Sequence, residues 1–162
     1  MTVREELVAR LEQLGLPYEL HTHAPVPAST DRYPMGLTFD AVVCKNLLLT
    51  VRNKSRYYLV MMPAEKSADL RAAARALGSS RLCFAEEEEA LELLGEGKGV
   101  VGPSGLIRDR EHKVKMVFDE SLRDQPRVAM HPGVNTETMV MRFDDLAAFV
   151  RENGNEVLFY NF

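Results

Sequence analysis

Ala41-Val42-Val43-Cys44-Lys45-Asn46-Leu47-Leu48-Leu49-Thr50 is the stretch on which the fold turns. Val42, Val43 and Leu47 to Leu49 form an apolar run of strand length bounded by polar turn residues, and this predicts a buried β-strand. Lys45 and Asn46 interrupt it. A lysine in such a strand either snorkels to water and guards an edge against pairing, or is held for chemistry, because an unpaired buried ammonium is expensive.

Outward from that strand, Arg52 to Ser55 is turn chemistry, and Tyr57 to Met62 is a second apolar run ended by Pro63, so the pair reads as a hairpin. Upstream, Thr2 and Glu5 form a capping box for a helix carrying Leu7, Leu11 and Leu14 and stopped by Gly15. Pro17 to Thr22 is a short extended piece. The segment from Pro25 to Gly36 is an irregular loop in which any lid would lie. Downstream, Ser67 is the expected cap of a helix through Leu77, with Gly78 at its end. Leu82 to Ala85 is a short strand entering the acidic first turn of a helix that carries Leu91, Leu93 and Leu94. Lys113 to Phe118 alternates and is expected to close a hairpin over Asp109 to His112. Val128 to Met130 leads into the turn His131-Pro132-Gly133. Thr138 to Arg142 is a strand, Asp144 is the expected cap of a helix ending before Gly154, and Glu156 to Tyr160 is a terminal strand. Helices and strands intermix without a βαβ period, which favours an α+β fold with a mixed sheet curled toward a barrel, in one domain over residues 1–162.

Composition narrows the function classes. With 46% hydrophobic and 27% charged residues the chain is of ordinary globular type. Its apolar runs are too short to cross a membrane and the N-terminus lacks signal-peptide regions, so a cytoplasmic protein is expected. A net charge of −4 argues against indiscriminate nucleic-acid binding. A local basic block remains, made of Lys45, Arg52, Lys54, Arg56, Lys66, Arg71, Arg75 and Arg81. Cys44 and Cys83 form no CxxC pair; neither zinc nor a disulfide is indicated, and both read as buried thiols. His21 and His23 share a strand face but lack a third ligand at a recognisable spacing, so no metal is expected. Gly95, Gly97, Gly99, Gly102 and Gly105 fall close together with Pro103. Such a run either lets backbone approach a ligand, as a clamp or oxyanion hole, or builds a pair of tight turns; it matches neither a Walker loop nor a dinucleotide fingerprint. His131, at a strand end, is open to a structural or a catalytic reading.

Four segments recur in one order: Lys45-Asn46-Leu47, Ser80 to Ala85, Gly99 to Leu106, and His131-Pro132-Gly133-Val134-Asn135-Thr136. Together they resemble the YbaK family of aminoacyl-tRNA editing domains, and within it the free-standing prolyl-tRNA deacylases of the ProX type. The resemblance covers nearly the whole chain. It implies a mixed, barrel-like sheet flanked by helices, and hydrolysis of mischarged tRNA(Pro), most often alanyl-tRNA(Pro), without metal or cofactor. The implied partners are the aminoacylated 3′ end of tRNA and prolyl-tRNA synthetase; oligomeric state stays open. By the same resemblance Lys45 lies beside the terminal adenosine, its phosphate or the ester, and Asn46 accompanies it. Gly99, Val101, Gly102 and Gly105 belong to the loop around the aminoacyl group, His131 borders that pocket, and Asn135 and Thr136 are the polar pair that follows. Gly102 stands where relatives often carry a small hydroxyl residue and Ser104 where a bulky apolar residue is common.

The chemistry suits these residue types. An aminoacyl ester is already activated, so a protein need mainly hold it, polarise its carbonyl and admit one water. Lys45 offers a fixed positive charge, loop amides can share that role, and His131 can position water or adenosine. Alanine would be admitted and proline excluded by size, a second sieve that a proline-sized synthetase pocket cannot supply. Two other readings stay open: a non-catalytic module that holds a tRNA end or nucleotide, and the same reaction on another substrate such as cysteinyl-tRNA(Pro).

Overall fold

The structure is a computed structural model that describes residues 1–25, 40–97 and 99–162. The loop expected from Pro25 to Gly36 lies, from Val26 on, outside the described residues. At the centre is the expected hairpin. Strand β2 (Val42–Val51) runs antiparallel to β3 (Tyr57–Pro63), with Lys45 opposite Met62 and Leu48 opposite Leu59. The turn closes through the Lys54 N–H and the Val51 carbonyl at 2.9 Å, and Asn53 Oδ1 accepts from the Ser55 N–H at 3.1 Å. Side chains alternate along both strands. Leu48, Leu59 and Met61 enter the larger core, whereas Leu49, Tyr58, Val60 and Met62 enter a smaller one on the other face. Because β3 is covered on both faces, its sequence is a continuous apolar run.

The remaining strands are β1 (Glu19–Thr22), β4 (Leu82–Phe84), β5 (Val114–Asp119), β6 (Arg127–Met130), β7 (Glu137–Arg142) and β8 (Val157–Tyr160). Their order in the sheet is β1-β7-β6-β2-β3-β5-β8, with β4 as an additional partner of β2. The pairs β2–β6, β3–β5 and β5–β8 are parallel and the others antiparallel, so the sheet is mixed. Helices α1 (Val3–Leu14), α3 (Glu87–Leu94) and α4 (Phe143–Glu152) bring Leu7, Leu11, Leu94, Leu146 and Phe149 to the larger core. The short α2 (Leu70–Ala76) covers the opposite face with Ala73 and Ala74. No helix among the described residues is long and apolar enough to cross a membrane.

Several local expectations are corrected. The Thr2 hydroxyl does accept the Glu5 N–H at 3.1 Å. Helix α2, however, starts later than Ser67, because the Asp69 carboxylate takes the Arg71 and Ala72 N–H groups, each at 3.1 Å. Asp144 lies inside the first turn of α4 and does not cap it; the chain enters the helix directly from β7 through Arg142. Strand β5 closes no hairpin over Asp109 to His112. The chain before it is a 3-10 turn over Pro103–Arg108, and β5 lies parallel to both neighbours. Asp109 launches it instead, accepting the Lys113 and Val114 N–H groups and the Asn155 amide, all at 2.9 Å. Cys83 is exposed, not buried, because β4 is hydrogen-bonded on one side only and only Leu82 faces a core.

The end of β5 carries a fully buried carboxylate. Asp119 accepts Lys66 Nζ at 2.9 and 3.1 Å, the Phe162 N–H at 3.0 Å and the Ser121 hydroxyl. These donors hold its carboxyl below the usual range against the opposing effect of burial. Removing it would take from the Lys66 ammonium its charged partner, leaving it Asn161 Oδ1 at 3.1 Å, and would deprive the Phe162 N–H of its acceptor. Asp119→Ala is therefore expected to lower the unfolding free energy by about 3 to 5 kcal/mol in urea melts; a loss under about 1 kcal/mol would contradict this account.

Candidate active site

A break in pairing along one edge of β2 makes the cleft. On the side away from β3, β2 pairs with β6 at Val42 and Val43 and with β4 at Leu49 to Val51. Between them Cys44 to Leu47 have no strand partner on that edge among the described residues. Extending the parallel register of Val43 and Ala129 by two residues sets Lys45 level with His131, where β6 has just ended. Alternation sends the two polar side chains of β2 to opposite faces: Lys45 to that of Leu47 and Leu49, Asn46 to that of Cys44 and Leu48. Lys45 is half-buried, and none of the ion pairs among the described residues involves it.

Asn46 meets the glycine loop. A methyl group built on Gly102 would lie 3.3 Å from Asn46 Nδ2 and 3.5 Å from its Cγ, while Asn46 Oδ1 is buried without a hydrogen-bond partner among the described residues. A buried acceptor without a donor is a reserve of unmet hydrogen bonding. His131 is set from the other wall. Its Nδ1 lies 3.1 Å from the Glu137 carbonyl, which can only accept, so Nδ1 carries a proton and in the neutral ring Nε2 keeps the lone pair. The Glu137 carboxylate is in turn held by Arg4 of α1, with Arg4 Nη2 to Oε2 at 2.9 Å. His23 stands beside His131, ring centroids 6.2 Å apart, and contacts Thr138 Oγ1 at 2.8 Å; His21 turns instead toward Glu19. Among the described residues no group of three or more His, Cys, Asp or Glu could hold a metal ion.

The other sequence-derived positions are distributed unevenly. Gly99 has a left-handed backbone, φ 87°, and Val101 packs against the larger core. Gly105 faces inward: a methyl group there would come within 2.7 Å of Leu94 Cβ and 2.8 Å of the Leu94 carbonyl. Asn135 is half-buried, and Thr136 is exposed with its carbonyl accepting the His23 N–H at 2.9 Å. The thiol of Cys44 is pushed up to about 12, chiefly by burial, so it is not a nucleophile near neutrality.

Sequence reasoning missed Glu96. Its side chain is buried beneath the loop at 2% residue exposure, accepting the Gly102 N–H at 3.2 Å and the Ser104 hydroxyl, while the Gly105 N–H donates to the Gly102 carbonyl at 3.0 Å. A methyl group on Gly133, in the turn after His131, would lie 2.9 Å from Glu96 Oε2. The Gly102 N–H is thus engaged by Glu96 and the Gly105 N–H by the Gly102 carbonyl, so both of these loop amides have partners within the fold. Burial raises the Glu96 carboxyl to about 8, against the opposing pull of Ser104, Gly102, Gly105 and Arg108. The signal in the sequence was a lone carboxylate between two glycines, Gly95 and Gly97.

The aminoacyl-tRNA editing domain family matches residues 36–149, more than half the chain, and so takes in Lys45, Glu96 and His131. The chain belongs to that family. The editing domain is 32% identical to the prolyl-tRNA editing protein ProX of Acetoanaerobium sticklandii over 155 residues, 96% of this chain and 94% of that protein. It is 30% identical to mouse prolyl-tRNA synthetase associated domain-containing protein 1, over 99% of this chain and 96% of that one. A solved structure described as a candidate trans-editing enzyme for prolyl tRNA synthetase superposes with a TM-score of 0.66 over 100% of this chain and 98% of its own, at 23% identity, a likeness of fold.

The raised Glu96 carboxyl has a stability consequence for the editing domain. Between its ordinary value of 4.5 and about 8 the folded state binds a proton that the unfolded chain has released. Stability is therefore fully present below that window and falls as pH rises through it, with a slope approaching about 1.4 kcal/mol per pH unit. Thermal melts from pH 5 to 9 should show this fall in the parent and a flatter profile in Glu96→Gln; identical profiles would mean that Glu96 is ionised in the fold.

Proposed function

We propose that residues 1–162 form one deacylase domain that hydrolyses mischarged tRNA(Pro) in trans, with alanyl-tRNA(Pro) as its main substrate and prolyl-tRNA synthetase as the enzyme whose errors it clears. What supports the reading is the break in β2, around which stand a half-buried lysine in none of the ion pairs among the described residues, a buried amide oxygen without a partner among them, and a histidine whose Nδ1 faces a carbonyl. Lys45 stabilises the oxyanion that develops on the ester carbonyl, a contribution enlarged where water is scarce. His131 orients the attacking water through Nε2. The water oxygen bonds to the carbonyl carbon, the carbon–oxygen bond to the ribose breaks, and the ribose oxygen leaves with a proton. Asn46 Oδ1 suits the α-ammonium of the amino acid, which would supply its missing donor. The Gly102 wall pressed on Asn46 limits the side chain by size.

The tRNA body falls to the exposed arginines Arg52, Arg56, Arg71, Arg75 and Arg81, since Lys54 is engaged by Glu89 at 2.8 Å and Lys66 by Asp119. Such contacts to phosphates are salt-sensitive and independent of the amino acid.

The test is a side-by-side assay of alanyl-, cysteinyl- and prolyl-tRNA(Pro) with the purified protein. Free alanine should be released fastest; release of cysteine instead would move the substrate, and retention of charged tRNA without release would mark a binding module. Lys45→Ala should lower turnover by about 100-fold with the fold intact, and His131→Ala by less. Parent-like activity in Lys45→Ala would remove the lysine from the mechanism.

A second outcome isolates the loop. Gly102→Val has no backbone objection, since φ is −177°, but it drives bulk into Asn46. Hydrolysis of alanyl-tRNA(Pro) should drop by about tenfold while affinity for uncharged tRNA stays within about twofold. An undiminished rate would place the amino acid elsewhere.

A further inference from the structure

We infer that Glu96 is a positioning residue that fixes the width of the aminoacyl pocket, because one buried side chain is the template on which both the glycine loop and the turn after His131 are set. The inference rests on the deacylase reading above and adds a residue to it. Glu96 follows Gly95, the left-handed stop of α3, and its side chain runs under the loop with almost no exposure. Oε1 receives the Gly102 N–H at 3.2 Å, and the Gly102 carbonyl in turn accepts the Gly105 N–H at 3.0 Å. Oε2 bonds Ser104 Oγ at 2.5 Å and bears on Gly133, where a methyl group would sit 2.9 Å away.

Two walls of the cleft therefore share one support. Gly102 is held by Glu96 through its N–H and lies so near Asn46 that a methyl group on it would be 3.3 Å from Nδ2, so a shift of the carboxyl passes to the residue that borders the substrate. The remaining surroundings are Val3 and Leu94, which are apolar, and Arg108, whose guanidinium is held by Glu6 at 2.8 Å and by the Met1 carbonyl at 2.8 Å. A neutral carboxyl satisfies every partner: one oxygen takes the Gly102 N–H, and the other shares a hydrogen with Ser104 Oγ. Glutamine can reproduce that pattern, with its amide NH2 donating to Ser104; alanine leaves the Gly102 N–H and the Ser104 hydroxyl without this partner.

Three variants and two readouts decide. Glu96→Ala should lower the ratio of kcat/KM for alanyl- over prolyl-tRNA(Pro) by about tenfold, speed amide hydrogen exchange at Gly102, and leave affinity for uncharged tRNA(Pro) unchanged. Glu96→Gln should restore both the ratio, to within about threefold, and the amide protection. If Glu96→Ala does not fold, Ser104→Ala takes its place, expected to lower the ratio in the same direction while Glu96→Gln does not. Parent selectivity in a folded Glu96→Ala protein overturns the inference, as does unchanged exchange at Gly102. Damage by Glu96→Gln equal to that by Glu96→Ala also overturns it, since the carboxyl would then act as an acid or base. A parent protein that hydrolyses none of the three substrates counts against the deacylase reading, and the exchange data alone then judge Glu96.

Discussion

Strand β2 must satisfy two edges of backbone donors and acceptors, and among the described residues only one of them is served along its length. Strand β3 covers the first edge from Cys44 to Thr50. The second is divided between β6, which arrives parallel at one end, and β4, which arrives antiparallel at the other. A strand can be approached in this way only if the partners stop short of each other, and buried backbone left between them needs another companion. Placement of the polar pair follows from this. Lys45 and Asn46 occupy the open interval, whereas the paired intervals carry Val42, Val43, Leu48 and Leu49. The candidate site is located by where the sheet cannot close.

Electrostatics then separates the roles of the two walls. The glycine loop could have offered its amides to a developing negative charge, but that of Gly102 is spent on Glu96 and that of Gly105 on the Gly102 carbonyl. Lys45, in none of the ion pairs among the described residues, is then the candidate positive charge on the open interval of β2. A carboxylate a few residues under the loop would ordinarily blunt it. Burial prevents this, because it favours the neutral form of Glu96 near pH 7. The protein can thus brace the loop with an acidic residue without cancelling the lysine.

Local patterns in the sequence were enough for the elements whose determinants are themselves local. The hairpin of β2 and β3 is written in two apolar runs and an Asn-Lys-Ser turn, and α1 in its Thr2 cap and leucine spacing. Strand β5 was legible as a strand but not as a parallel one, because its partners, β3 and β8, are distant in the chain and Asp109, not a turn, sets its start. For the site, Lys45, Asn46 and His131 were found by residue type and by resemblance. Gly105 was legible as a required glycine, and the structure adds that a methyl group there would run into Glu96 Oε1 and the Leu94 carbonyl. Ser104, out of place in an apolar position, is explained by Glu96, and that pairing spans a loop whose geometry no spacing rule encodes.

The parallel pairing of β5 between β3 and β8 also bears on how the molecule is made. A hairpin such as β2 and β3 can form as soon as its residues exist, but β5 must wait for α2, β4 and α3 to be synthesised, and β8 for β6, β7 and α4. Closing such distant loops costs entropy before any contact rewards it, so high contact order should make assembly of this half of the sheet the slow event in folding. Until β8 arrives, β5 presents an open hydrophobic edge, Met116 and Phe118 included, to the cell. A nascent editing domain would then depend on chaperone cover for longer than its modest length suggests.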